Sequence, residues 1–281
     1  MADWNERIVE LPGRGSMRAY EWPGPRRAPT LVLLHGLAAT GRLNWATSAP
    51  ALARRFRVVV VDHRGHGHGI RTQRFQLADC ADDVAALADV LGIGSFVPVG
   101  YSMGGPIAKL CWNRHRDRVR GLVLCATARN FLTPQVQGVV SAVLPGLVFG
   151  ARLVPSFFRT RIIDGMLRDI PPGPQREFAR AELLATDAAS VFQAARDSIR
   201  FSSHDWCRDI DVPTAVVVTT RDTMVLPARQ YKLARAIGGA KVFEVDGDHL
   251  ACVRTSGTFV DALMQACEHV TAVPAGQVAS S

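Results

Sequence analysis

The chain is organised around the sequence Gly100-Tyr101-Ser102-Met103-Gly104. It follows the apolar residues Phe96-Val97-Pro98-Val99 and precedes residues spaced like the buried face of a helix. A serine between a strand and a helix lies on a sharp, strained turn, and the flanking glycines allow backbone contacts that a β-carbon would block. The pattern therefore predicts a strand that ends near residue 99, an exposed Ser102 hydroxyl, and a helix over residues 103–114. Short glycine–serine patterns also arise by chance, so this interpretation depends on whether the rest of the chain has the strands and the catalytic partners that such a serine needs.

Strands and helices alternate on both sides of this turn. The predicted strands cover residues 8–11, 17–22, 30–34, 58–61, 95–99, 119–125, 213–219 and 241–245. The other predicted helices cover residues 45–56, 77–91, 227–237 and 255–270. Alternation of this kind is typical of a mostly parallel sheet with helices on both faces, and the first two strands predict an antiparallel edge hairpin. The expected fold is therefore α/β, with an eight-stranded sheet.

Residues 130–208 have a different character. They contain no strand-like run, and prolines divide them into helical segments. We expect this segment to be a helical lid inserted into a core domain formed by residues 1–129 and 209–281. Its apolar part, residues 136–158, is broken by prolines, glycines and an arginine, which makes it a poor transmembrane helix and allows only weak contact with a membrane interface. An apolar lid favours a substrate of low polarity.

Two later strands are followed by residues that can activate a serine. A serine hydroxyl becomes a good nucleophile when a base takes its proton and a third group orients that base. Asp222 follows the seventh predicted strand, and His249 follows the eighth. The carboxyl ends of parallel strands converge on one crevice, so both residues are expected to meet Ser102 there. Asp246 and Asp248 are closer to His249 in sequence and remain alternatives for the carboxylate, although aspartate is common in such turns.

Together these features resemble the α/β-hydrolase superfamily over about residues 8–270. The matching motifs are His35-Gly36, Asp62-x-Arg64-Gly65-x-Gly67, Gly100-x-Ser102-x-Gly104-Gly105, Asp222 and Gly247-x-His249. The resemblance implies that Ser102 is the nucleophile, that His249 is the general base and then the general acid, and that Asp222 orients it. Many relatives carry a serine near position 68, where this chain has His68, and we expect this difference to affect the loop and not catalysis.

The resemblance also implies an oxyanion hole made by the backbone N–H groups of Leu37 and Met103. Met103 follows the nucleophile, and Leu37 lies on the loop after the third strand, which is where this mechanism needs its donors. His35, Gly36, Gly100 and Gly104 support these two loops as parts of the motifs. Each donor is expected to stabilise the transition state by a few kcal/mol.

The implied activity is hydrolysis of a carboxylic ester through an acyl-enzyme, without a metal or an organic cofactor. A nucleophilic serine argues against dehalogenases and epoxide hydrolases of the same fold, which use aspartate there. Other reactions of the same triad remain open: carbon–carbon bond hydrolysis, in which Arg129 or Arg196 would bind the acid, acyl transfer, or perhydrolysis. A ligand-sensing binding protein with slow hydrolysis is a further alternative.

Three histidines, His63, His66 and His68, follow the fourth predicted strand in a glycine-rich loop. We expect these glycines to shape the backbone, and we do not expect a metal site. The glycines also lack the Gly-x-Gly-x-x-Gly spacing of a dinucleotide-binding loop.

The composition narrows the set of partners. The chain has 281 residues and a net charge of +8, but its arginines are scattered apart from a run at residues 114–120. That run is typical of a solvated helix end, so we expect a small-molecule ester as partner and no nucleic acid. The six cysteines mostly lie among apolar residues without a Cys-x-x-Cys pair, and residues 1–20 lack the apolar run of a signal peptide. These features predict a cytoplasmic protein with reduced thiols, and they leave its oligomeric state open.

Overall fold

The structure is a computed structural model that describes residues 4–132, 160–161, 163–165, 167–168, 172–254 and 256–272. Its strands are β1 (Glu6–Leu11), β2 (Gly15–Trp22), β3 (Thr30–Leu34), β4 (Arg57–Val61), β5 (Val97–Tyr101), β6 (Leu122–Cys125), β7 (Thr214–Thr219) and β8 (Lys241–Val245). Its helices are α1 (Gly41–Trp45), α2 (Ser48–Leu52), α3 (Leu77–Val90), α4 (Gly104–Arg114), α5 (Pro174–Leu184), α6 (Ala188–Arg200), α7 (Pro227–Ala236), α8 (Ala251–Arg254) and α9 (Ser256–Ala272).

The strands form one eight-stranded sheet in the order β1-β2-β4-β3-β5-β6-β7-β8. β1 and β2 form an antiparallel hairpin at one edge, β2 pairs antiparallel with β4, and all other pairs are parallel. The predicted α/β class is therefore confirmed. The strand order reverses beside β3, which pairs with β4 on one side and β5 on the other. Such a switch point opens a crevice at the carboxyl ends of the strands.

The central strands are apolar throughout because both faces of the sheet are covered by helices. Val32 and Leu34 of β3 face one core cluster, which includes residues of α3, α4 and α7. Leu31 and Leu33 face the other cluster, which includes residues of α1, α2 and α9. Successive side chains of a strand point to opposite faces, so a strand buried on both sides reads as a continuous apolar run.

The predicted helix over residues 45–56 is wrong. The structure has two short helices there, α1 and α2, and the residues after Leu52 form turns. Thr40 caps the first helix by accepting a hydrogen bond from the Leu43 N–H, so this helix begins before residue 45. Pro50 lies in the first turn of α2. Proline has no N–H to donate and is tolerated in a first turn but not inside a helix, which explains the break between α1 and α2.

Strand β5 also differs from the prediction, because it ends at Tyr101 and not near residue 99. Gly100 pairs with Leu34 on one side and Leu124 on the other, so the sheet continues to the residue before Ser102. β6 begins at Leu122, and Val119, which we placed in that strand, forms only an isolated bridge with Phe96. The serine therefore follows the last paired residue of its strand directly.

Helices α5 and α6 lie between β6 and β7 in the chain. The apolar stretch over residues 136–158, for which we expected lid helices, lies outside the described residues. In the part of the chain that the structure describes, no helix has both the length and the apolar composition needed to cross a membrane.

Two of the four arginines in the basic run at residues 114–120 form ion pairs with carboxylates of this chain. Arg114 donates two hydrogen bonds of 2.8 Å to the carboxylate of Asp82. Arg118 donates one of 2.6 Å to Asp89. Arg114 and Arg118 therefore bind acidic side chains of α3.

Candidate active site

Ser102 lies in the tight turn between β5 and α4. Its φ angle is +51°, a left-handed conformation that costs a non-glycine residue about 1–3 kcal/mol. Two hydrogen bonds connect this turn to the end of β6 and the residues after it: the Ser102 N–H donates to the Cys125 carbonyl at 2.9 Å, and the Thr127 hydroxyl donates to the Ser102 carbonyl at 2.9 Å. The end of β6 thus fixes the strained turn from both sides.

The glycines around Ser102 are required by close backbone contacts. A β-carbon on Gly100 would overlap the carbonyl group of Gly104. A β-carbon on Gly104 would overlap the carbonyl group of Leu34 at the end of β3. The motif therefore reflects the packing of the turn against both its own helix and the neighbouring strand.

Ser102, His249 and Asp222 are joined by hydrogen bonds. His249 Nε2 lies 3.0 Å from Ser102 Oγ, and His249 Nδ1 lies 2.7 Å from Asp222 Oδ2. A carboxylate only accepts, so Nδ1 carries the proton and Nε2 is free to accept from the serine hydroxyl. The structure brings these three predicted residues together from the ends of β5, β7 and β8.

Asp222 is fully buried and well supplied with donors. Its Oδ1 accepts hydrogen bonds from the N–H groups of Met224 at 2.9 Å and Val225 at 2.8 Å. Burial raises the pKa of Asp222, but the hydrogen bonds from His249, the Val225 N–H and Thr219 outweigh burial and hold the pKa below its ordinary value. Asp222 is therefore ionised at neutral pH.

The other two carboxylates near His249 point elsewhere. Asp246 forms an exposed ion pair of 2.8 Å with Arg221. Asp248 accepts a hydrogen bond of 2.8 Å from the Leu250 N–H. Asp222 is thus the carboxylate that contacts the imidazole of His249.

The loop after β3 is held by a neutral histidine. His35 Nδ1 donates to the Gly36 carbonyl at 2.7 Å, and His35 Nε2 accepts from the His63 N–H at 3.0 Å. Burial lowers the pKa of His35 to about 4, so the ring stays neutral and keeps its acceptor. The Gly36 N–H donates to Asn44 Oδ1 at 3.0 Å. A β-carbon on Gly36 would come within 3.4 Å of Ser102 Cβ, so this loop lies against the serine turn.

The two N–H groups that the sequence suggested for an oxyanion hole flank this contact. Met103 is the residue before α4, and Leu37 follows Gly36 on the adjacent loop. Among the hydrogen bonds of the described residues, neither N–H donates to a protein acceptor. The N-terminus of α4 lies behind Ser102, and helix N-termini favour negative charge.

The histidine-rich loop after β4 is shaped by Asp62. Its buried carboxylate accepts from the Gly41 N–H at 2.7 Å and from the His68 N–H at 2.8 Å. Gly67 has a φ of +49°, and a β-carbon there would overlap the Asp62 carboxylate. Within the described ranges, no three His, Cys, Asp or Glu side chains are grouped to hold a metal ion.

Sequence reasoning missed three residues that hold the triad. The Tyr101 hydroxyl donates to the His249 carbonyl at 2.9 Å. Thr219 and Gln230 both donate to Asp222 Oδ2, at 2.8 and 3.3 Å. Tyr101 and Thr219 are the last residues of β5 and β7, a position that could have indicated their role. Gln230 follows Asp222 by eight residues and matches no motif.

Arg129 and Arg196 were candidates for binding an acid group. Arg129 lies just after β6, and Arg196 lies on α6; both are half-buried. Among the described contacts, neither side chain reaches Ser102 or His249.

Comparison with known proteins identifies the family. Residues 29–183 match a family model described as the alpha/beta hydrolase fold, which covers more than half of the chain. The magnesium-chelatase 30 kDa subunit of Rhodobacter capsulatus is 34% identical over 157 residues, which are 52% of each protein. The pimeloyl-[acyl-carrier protein] methyl ester esterase of Chromobacterium violaceum is 38% identical over 109 residues, which are 38% of this chain and 40% of the relative.

The chain therefore spans about half or less of the length of these two relatives. Among solved structures, a thermophilic esterase from Thermogutta terrifontis superposes with a TM-score of 0.75 at 25% identity, covering 94% of this chain and 98% of the esterase. The strand order, the turn at Ser102 and the family match agree with one another. The chain belongs to the alpha/beta hydrolase fold family.

Proposed function

We propose that this protein is a serine hydrolase that cleaves carboxylic esters through an acyl-enzyme intermediate. The observation that carries the proposal is the pair of contacts that join Ser102 Oγ to His249 Nε2 at 3.0 Å and His249 Nδ1 to Asp222 Oδ2 at 2.7 Å. In this arrangement His249 takes the Ser102 proton as the hydroxyl oxygen attacks the ester carbonyl, and it then gives that proton to the leaving alcohol. Water, activated by the same histidine, releases the acid.

Charge supports the same roles. Asp222 is ionised at neutral pH, so it stabilises the imidazolium that forms when His249 takes the proton. The N–H groups of Leu37 and Met103 are the proposed donors to the oxyanion. Each would stabilise the transition state by about 3 kcal/mol. Both groups are held in place by hydrogen bonds. Leu37 lies on the loop that His35 and Asn44 bind, and Met103 lies in the turn that Thr127 binds.

We further propose that residues 130–208 form a lid over this crevice. Asn130 and Ser202 form an antiparallel bridge, and the Ser203 N–H donates to the Arg129 carbonyl at 2.9 Å. The chain thus leaves the sheet and returns to it at neighbouring points. Helix α5 is docked onto the core by Glu182, which accepts a hydrogen bond from Thr40.

The surroundings of the site favour an ester of low polarity. Four apolar side chains are exposed: that of Leu37 in the proposed oxyanion hole, and three that are close in sequence to Asp222 or His249. They are Leu37 at 37%, Met224 at 73%, Leu226 at 52% and Leu250 at 44% exposure. Apolar side chains exposed at a binding site can be buried by an apolar ligand, at about 25 cal/mol for each Å² removed from water. We propose that these residues contact the acyl or aryl part of a small-molecule substrate.

The names of two relatives agree with ester chemistry. One is a methyl ester esterase, and the Thermogutta terrifontis protein is a thermophilic esterase. The name of the magnesium-chelatase subunit does not mention ester hydrolysis. The test must therefore also distinguish an enzyme from a ligand-binding protein.

Labelling and turnover together test the proposal. A fluorophosphonate probe reacts with an activated serine, and a p-nitrophenyl ester in excess reports turnover. We expect both signals in the wild type and neither in Ser102→Ala, while Ser16→Ala, which alters an exposed serine of β2, keeps both. Labelling without turnover would point to a ligand-binding protein. Equal turnover by the wild type and Ser102→Ala would overturn the proposal.

A further inference from the structure

The carboxylate of Asp222 is held by a side-chain network that lies behind the proposed triad. Asp222 Oδ2, the atom that accepts from His249, also accepts from the Thr219 hydroxyl at 2.8 Å. Gln230, which is fully buried on α7, contacts both partners, with Nε2 at 3.0 Å from Thr219 Oγ1 and 3.3 Å from Asp222 Oδ2. The network joins the end of β7 to the first half of α7.

The neighbouring backbone fixes the orientation of the Gln230 amide. The Thr219 N–H can only donate, and it lies 3.1 Å from Gln230 Oε1. The Val225 carbonyl can only accept, and it lies 2.7 Å from Gln230 Nε2. The amide oxygen and nitrogen are therefore assigned without ambiguity, and the second N–H of the amide points toward Thr219 and Asp222.

This orientation in turn fixes the Thr219 hydroxyl. Thr219 Oγ1 accepts a hydrogen bond from Gln230 Nε2, so its own proton is directed at the remaining acceptor, which is Asp222 Oδ2. Thr219 thus donates to the same oxygen that must hold the Nδ1 proton of His249.

We propose that Thr219 and Gln230 are positioning residues that control how strongly Asp222 holds the Nδ1 proton of His249, and thereby set the lower pH limit of catalysis. This inference rests on the proposed function. Each donor to a carboxylate oxygen reduces the negative charge that is available to a second donor. Without the Thr219 hydroxyl, Asp222 would stabilise the imidazolium more, and His249 would keep its proton to higher pH. Because the reaction needs a neutral His249, the acid limb of the pH profile would move upward.

Other titratable groups lie near Asp222 and His249, and a substitution of Thr219 leaves them unchanged. The Tyr101 ring faces His249 from β5, with a centroid distance of 5.8 Å, and Cys252 lies on α8 three residues after His249. Burial raises the pKa of the Cys252 thiol to about 12 and holds the pKa of Tyr101 well above its ordinary value, so both are neutral through the acid limb. The remaining charged groups of the two loops are Arg221, Asp246 and Asp248.

The test compares the pH dependence of kcat/KM for p-nitrophenyl acetate among four proteins. Thr219→Val removes the hydroxyl and keeps the shape of the side chain. Thr219→Ser keeps the hydroxyl, and Thr220→Val removes a neighbouring hydroxyl that donates to the Val245 carbonyl instead. We expect the acid limb of Thr219→Val to lie about 0.5 pH unit above that of the wild type, which is a modest fraction of the shifts that hydrogen bonds produce in buried groups. The limbs of Thr219→Ser and Thr220→Val should match the wild type.

An acid limb of Thr219→Val that coincides with the wild type, or lies below it, would overturn the inference. If Thr219→Val does not fold, Thr219→Cys replaces it, because a thiol is a weaker donor and should give a smaller shift in the same direction. A second readout is independent of turnover: the low-field proton NMR signal of His249 Nδ1–H should move further downfield in the variant. Absence of ester turnover in the wild type would sink the proposed function, whereas an unmoved NMR signal would sink only this inference.

Discussion

Lys109 Nζ lies 3.0 Å from Ser203 Oγ and also donates to the Ala128 carbonyl at 2.8 Å. These bonds join α4, the helix behind Ser102, to the two points where the segment between β6 and β7 leaves the sheet and returns to it. Lys109 is fully buried, and burial lowers its pKa from 10.5 to about 7. Lys109 therefore connects α4 to both ends of the segment between β6 and β7, and its burial disfavours the charged form of its amine.

The first prediction concerns the pH dependence of stability. Between about pH 7 and pH 10.5 the unfolded chain binds the Lys109 proton and the folded chain does not, so the free energy of unfolding of the wild type rises with pH in this window. Lys109→Met abolishes this contribution. In urea denaturation, we expect the free energy of unfolding of the wild type to rise relative to that of Lys109→Met by up to about 1.4 kcal/mol per pH unit. The free energy of unfolding of Lys232→Met, which changes an exposed residue of α7, should depend on pH as that of the wild type does. The same pH dependence in Lys109→Met would contradict this prediction.

The second prediction concerns the serine turn. Gly104→Ala places a methyl group against the Leu34 carbonyl, and the backbone of β3 cannot move without disturbing the centre of the sheet. We expect the free energy of unfolding to fall by about 3 kcal/mol or more, as in overpacked cores. Gly94→Ala is the matched control, because its β-carbon would meet nothing within 4 Å. Equal denaturation curves for the two variants would contradict the assigned packing.

The third prediction distinguishes the carboxylates near His249. Asp222→Asn presents an amide N–H to Nδ1 and thereby favours the imidazole tautomer that cannot accept from Ser102. We expect kcat for a p-nitrophenyl ester to fall by about 10⁴-fold. Asp246→Asn and Asp248→Asn should retain wild-type kcat. A large loss in either of these, with Asp222→Asn active, would reassign the orienting residue.

The parallel sheet could be predicted from sequence because its central strands are buried on both faces. The runs that became β3 and β8 match the predicted strands, since a continuous apolar run or a short β-branched run between turns has few other solutions. The helix over residues 45–56 was wrong because apolar spacing continues across Pro50, where the hydrogen-bond ladder cannot. Periodicity alone does not show such a break.

The candidate site divides in the same way. Ser102, Asp222 and His249 could be placed together because each follows a strand, and parallel strands end at one edge. Gln230 could not be found, because its role depends on the direction of single hydrogen bonds that only the packing of α7 on β7 defines. The end of β5 was misplaced by two residues, because Gly100 is a turn former by composition but is paired on both sides here.

The fourth prediction concerns the exposed apolar side chains near the site. Met224→Gln keeps the length of the side chain and adds a polar group where an apolar acyl chain would bind. We expect the ratio of kcat/KM for p-nitrophenyl octanoate to that for the acetate to fall about fivefold, which corresponds to roughly 1 kcal/mol of lost apolar burial. Val90→Gln changes an exposed apolar residue at the end of α3 and should leave the ratio unchanged. A ratio that Met224→Gln does not alter would remove Met224 from the substrate path.

The proposed acyl-enzyme can be observed directly. The wild type would be mixed with a p-nitrophenyl ester in excess, quenched in acid during turnover, digested and analysed by mass spectrometry. We expect the mass of the acyl group on the peptide that contains Ser102, and we expect Ser102→Ala to lose both this acyl mass and turnover. Acyl mass on another residue, or steady turnover with no acylated peptide, would contradict the proposal that Ser102 is the nucleophile.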